Sequence, residues 1–117
     1  MDWINLQEGQ LAVDVAETPD TLIIRAIIAG TAQEDLDIHV TEDTITIRGK
    51  RTAPDWPDNA TVHFAECFFG SFSRSVMLPS PIKPDDTQAQ ITNGILTITA
   101  PKAQKTVRLT VTSSDLA

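Results

Sequence analysis

The feature that most constrains this chain is a period of two. Apolar residues alternate with polar ones through Leu11, Val13 and Val15, again through Leu36, Ile38 and Val40, and again through Ile45 and Ile47. Successive side chains of a strand point to opposite faces, so this pattern describes half-buried strands. Residues 21–29 are apolar on both parities apart from Arg25, as expected of a buried central strand. Turn signals fall between the runs: Glu17-Thr18-Pro19-Asp20, Gly30, Glu42-Asp43 and Asn93-Gly94. Thr31 and Glu34 have capping-box spacing, with room for one helical turn at most. A long strand over residues 68–78, a short one carrying Ala89 and Ile91, and a last core strand over residues 95–100 complete the series. Many short strands with regularly spaced turns predict an all-β sandwich.

The longest irregular stretch is residues 51–66. It holds Pro54, Trp56 and Pro57, then a short β-like piece, Val62-His63-Phe64. A structureless loop of this length in a small domain usually has a task. Trp56 is suited to anchor an interface. It can also fold over its own domain, and a carbohydrate platform is a third use.

Arg74 shares parity with Phe68, Phe72, Val76 and Leu78, which places a guanidinium on an apolar strand face. A charge there needs a carboxylate and hydrogen bonds. The nearest upstream acid is Glu66. Eight residues of extended chain span about 26 Å, so a contact within one chain requires a sharp fold-back. Glu66 of one subunit meeting Arg74 of another is geometrically easier. The competing reading has Arg74 reaching solvent from an edge.

Composition removes several functions. The net charge is −7 and the nine Lys and Arg are scattered, which argues against nucleic acid as a partner. No apolar run approaches the ~20 residues of a membrane-spanning helix. Residues 1–10 contain Asp2 and Glu8 and do not read as a secretory signal. The single cysteine, Cys67, forbids an intrachain disulfide and suits a reducing, cytoplasmic setting. His39 and His63 each fall on an outward parity, with no base beside a nucleophile. The five glycines stand singly, so there is no phosphate-binding loop. The expectation is a protein that is not an enzyme and has no cofactor or metal.

Three segments resemble the alpha-crystallin domain of small heat-shock proteins. The first is Val13-Asp14-Val15-Ala16-Glu17-Thr18, followed by the apolar strand to Gly30 and by Glu34-Asp35-Leu36-Asp37-Ile38. The second is Gly70-Ser71-Phe72-Ser73-Arg74-Ser75-Val76-Met77-Leu78-Pro79, similar to the family's G-x-F-x-R-x-(apolar)-x-L-P. The third is Ala89-Gln90-Ile91-Thr92-Asn93-Gly94-Ile95-Leu96, similar to A-x-(apolar)-x-N-G-(apolar)-L. All three stand in family order at family spacing.

The resemblance implies an immunoglobulin-like antiparallel sandwich of seven or eight strands over residues 11–102. It implies an ATP-independent holdase, whose partners are non-native client proteins. It implies a homodimer through loop 51–66, with Val62, His63 and Phe64 as a strand swapped into the partner and Trp56, Glu66 and Arg74 at the interface. Family members also carry a C-terminal (Ile/Val)-x-(Ile/Val) motif that builds larger homo-oligomers by docking on another dimer. Within residues 103–117, Val107, Leu109 and Val111 carry that spacing. The receiving groove is expected between Leu36, Ile38 and Val40 on one side and Ala89 and Ile91 on the other. The same stripe can be read as an eighth core strand. Family members have a longer N-terminal arm than residues 1–10 provide. A second function stays open: a non-chaperone interaction module of related sandwich fold that binds one folded partner.

Overall fold

The alternating runs become strands in the computed structural model, which describes residues 9–103 and 108–115. In chain order these are β1 (Gly9–Gln10), β2 (Val13–Glu17), β3 (Thr21–Ile27), β4 (Leu36–Val40), β5 (Thr44–Arg51), β6 (Gly70–Met77), β7 (Gln88–Thr92) and β8 (Ile95–Pro101). They form two four-stranded sheets, ordered β1-β6-β5-β4 and β2-β3-β8-β7. Every pairing is antiparallel except the two-residue contact of β1 with β6. This is the all-β sandwich that the alternation predicts.

The core lies between the sheets and follows the parity. Leu22, Ile24 and Ala26 of β3 and Leu96, Ile98 and Ala100 of β8 face Ile45 and Ile47 of β5 and Phe72 of β6, all buried. Full burial of one such large side chain is worth about 1.5–3 kcal/mol, so this layer supplies most of the driving force. The β7–β8 hairpin turns on Asn93 and Gly94, with φ 53° and 77°. Both values are positive, the type I′ geometry whose twist matches the flanking strands.

Several expectations are corrected. Residues 21–29 are not buried on both faces: β3 is central, but Ile27 is 72% exposed on the outer side of its sheet. No helix packs over that face among the described residues, so only one parity is buried. The capping box does not form. Gln33–Asp35 is a single 3-10 turn whose N-cap is Ala32, without a side-chain cap bond, and Thr31 Oγ1 is buried without a partner. So short a turn is closed instead by the backbone bond from Asp35 N to Ala32 O, 3.0 Å. Gly9 and Gln10, assigned to the N-terminal arm, pair with Phe72 and Ser73.

The loop is also displaced. β5 runs on to Arg51 because that residue pairs with Gly70, and β6 begins only there, so the connection is residues 52–69. Gly70 has φ 144°, and this turn of the backbone leaves Phe68 and Phe69 outside the strand, on the exposed loop.

Candidate functional site

Open sheet edges present unpaired N–H and C=O groups, which can pair with a strand of another chain. Among the described residues no group of three or more His, Cys, Asp and Glu is placed to hold a metal ion. No helix there is long and apolar enough to cross a membrane.

On one side of the sandwich β4 and β7 are the edges. A cleft of about 520 Å³ runs between them, lined by Leu36, Ile38, Ala89 and Ile91 together with Gln33, Gln90, Thr92 and Leu96. Four of the five residues expected to form this groove therefore converge there. Val40 does not line it; it packs half-buried against the core. Leu96, which the sequence places only in the last core strand, is buried and also reaches the groove wall. All of β7 is exposed, so its inward-parity side chains Ala89 and Ile91 are uncovered apolar surface.

On the opposite side β2 is an edge of its sheet. Val15 has the core-facing parity, opposite Ile24, yet it is 41% exposed. Arg74 lies between Phe72 and Val76 on β6, opposite Ile47, half-buried as its parity requires. Its Nη1 donates to the carbonyl oxygen of Leu11 at 3.2 Å, where the chain crosses from β1 to β2. Thus the guanidinium sits on the side of the open β2 edge. Glu66 lies exposed on the loop, and no ion pair joins it to Arg74 among the described residues.

The loop itself leaves apolar side chains in solvent. Trp56, Val62, Phe64, Phe68 and Phe69 are all exposed, Phe64 by 82%. Val62, His63 and Phe64 belong to no strand within their own chain. Trp56 therefore does not fold over its own domain. His39 is exposed on the outer face of β4, with Nε2 2.9 Å from Asp37 Oδ2.

In the tail, Leu109 and Val111 are 80% and 91% exposed and lie in no strand. Val107 falls outside the described residues. The chain enters this tail from a fixed root. Lys102 Nζ is 3.0 Å from Glu17 Oε1, Lys102 N donates to Asp20 O, and Ala103 N donates to Pro81 O.

Open strand edges at β2, β4 and β7, a long loop of exposed apolar residues and an exposed tail are the surfaces this β-sandwich leaves uncovered among the described residues. The sequence matches the Hsp20/alpha crystallin family over residues 5–113. It is 35% identical over 92 residues to small heat shock protein C2 of Rickettsia felis, covering 79% of this chain and 60% of that one. It is 33% identical over 101 residues to heat shock protein 16 of Schizosaccharomyces pombe, covering 83% and 71%. The solved structure of heat shock protein 16.0 from Schizosaccharomyces pombe superposes with a TM-score of 0.77 at 28% identity, over 92% of this chain and 99% of that one. The chain belongs to the Hsp20/alpha crystallin family of small heat-shock proteins. It spans less than two thirds of the length of the Rickettsia felis relative.

Proposed function

We propose that the chain is an ATP-independent holdase that binds unfolding proteins and keeps them from aggregating. The observation that carries this reading is the amount of apolar surface held outside the core, on the loop, the tail and the β4–β7 cleft. Exposed apolar patches and strand edges capture other chains that expose the same groups. No bond is made or broken, so the mechanism is mass action on non-native states. Family membership supports the same function and a cytoplasmic setting.

The working unit in this reading is a homodimer. Val62, His63 and Phe64 of one chain add as a strand to the open β2 edge of its partner, and Trp56 anchors the loop. Glu66 of one subunit then meets Arg74 of the other, on the side where β2 is uncovered. Leu109 and Val111 dock in the β4–β7 cleft of a neighbouring dimer, an extended segment offering alternate side chains to pockets. Residues 103–117 thus form the extension that links dimers.

The test is light scattering from a heat-labile client warmed with the chain in the absence of ATP. Scattering should fall as the chain approaches equimolar amounts. Unchanged scattering at a several-fold excess, from a chain that runs as a strict monomer, points instead to a module for one folded partner.

A further inference from the structure

The eighteen residues of loop 52–69 leave the sheet beside one side chain that does not behave as its position suggests. Arg51 ends β5 and pairs with Gly70 at the start of β6. An arginine at the exposed end of a strand ordinarily extends into water. Here it turns back and is half-buried. Its Nε donates to the carbonyl oxygen of Ala29 at 2.8 Å, and its Cζ lies 5.6 Å from the centre of the Phe72 ring. Ala29 follows β3, a strand of the other sheet, so the bond spans the two layers at the loop's root. The ring beneath is itself immobilised. Phe72 is buried opposite Gly49, and a Cβ at Gly49 would stand 2.6 Å from Phe72 Cζ and 2.9 Å from Leu36 Cδ2. Only glycine at 49 lets the ring lie there, and the guanidinium stacks on the platform it makes.

We propose that Arg51 is the positioning residue of the exchange loop, its bond to Ala29 and its stack on Phe72 setting the direction in which residues 52–69 leave the sheet. The proposal rests on the reading of that loop as the dimerisation element. A loop must be ordered when it docks, and that ordering is subtracted from affinity. A root fixed in advance removes part of this cost, because the first residues no longer sample other directions. Val62, His63 and Phe64 are eleven or more residues further on, so a small rotation at Arg51 moves them far from a strand edge. Arginine suits the task better than lysine: its planar group stacks on an aromatic face while Nε still donates sideways. None of this holds the core together, since Phe72 belongs to the buried cluster between the sheets with or without Arg51.

Dimer dissociation by sedimentation on dilution and melting by calorimetry are to be measured for four variants of the full chain. These are Arg51→Ala, Arg51→Lys, Arg48→Ala as an exposed control on the same strand, and a chain with residues 53–68 replaced by a tight turn. Without the preset root, residues 52–69 lose more freedom on docking, which should raise the dimer dissociation constant of Arg51→Ala about tenfold. Arg51→Lys should recover only part of this, and Arg48→Ala should leave the dissociation constant unchanged. Melting of Arg51→Ala should stay within about 2 °C of the parent, as for a change outside the core. An unchanged dissociation constant in Arg51→Ala overturns the proposal while the short-loop chain is monomeric. So does a weakened dimer whose loss only tracks an equally lowered melting point in both Arg51 variants. A short-loop chain that still dimerises removes the loop reading itself, and the positioning role with it.

Discussion

Replacing Leu109 and Val111 together by alanine separates a docking tail from a strand of the chain's own domain. Both side chains are almost fully exposed, at 80% and 91%, so the isolated domain has little to lose with them. The change deletes five carbon groups that a groove would bury. At roughly 0.8 kcal/mol per buried methylene the ceiling is about 4 kcal/mol per docked tail. Ordering an extended segment consumes part of this, which leaves a weak single contact whose loss still weakens each link by tenfold or more. Several tails closing one assembly act at high effective concentration, so the effect on a large oligomer is greater than on one contact. Sedimentation velocity should show dimers where the parent forms larger species, and calorimetry should show domain melting within about 2 °C of the parent. The opposite result, a double variant that melts much earlier while keeping its assembly, rules out docking. Leu109 and Val111 would then be packed in their own domain.

Other substitutions test other parts of the structure. In the proposed dimer, docking buries Glu66 of one subunit against Arg74 of the other, so Arg74→Ala should weaken the dimer far more than Arg108→Ala, by about 3–5 kcal/mol for a carboxylate left unpaired there; equal dissociation constants for the two remove the ion pair. Gly49→Ala should cost about 1–3 kcal/mol, because its Cβ meets the Phe72 ring at 2.6 Å in a packed core, and a melting point unchanged in calorimetry contradicts that packing. Lys102→Ala should cost only about 0–1 kcal/mol, since Glu17 is half exposed and solvent screens the pair. A loss of several kcal/mol in urea unfolding would show that the pair does more than fix the tail's root.

How much could be read in advance depends on whether the signal is local. The Asn93-Gly94 hairpin was legible because a two-residue turn demands positive φ, and those residues supply it. The Leu36–Val40 and Thr44–Arg51 strands were legible from alternation, but the end of β5 was not. Gly49 breaks the apolar parity and Arg51 reads as the start of the loop, whereas pairing with Ser71 and Gly70 carries the strand on through Lys50 and Arg51. Phe68 and Phe69 misled in the other direction: apolar residues next to a strand pattern look like strand until Gly70 turns the chain. β1 has no signal of its own: Gly9 and Gln10 show no alternation, and their pairing is with β6, far along the chain. For the site, the family resemblance pointed to a groove between the Leu36–Val40 strand and the strand of Ala89 and Ile91, and Leu36, Ile38, Ala89 and Ile91 line one cleft. Arg51 went unnoticed because its partner Ala29 stands twenty-two residues away and offers only a backbone oxygen.

Capture of non-native chains without nucleotide shows most plainly in what becomes of the client. A heat-labile protein is warmed with an equimolar amount of this chain in ATP-free buffer, then centrifuged and passed over a sizing column. One soluble, high-mass peak that contains both proteins is expected. Client found wholly in the pellet, with the chain eluting alone at its starting position, would contradict it.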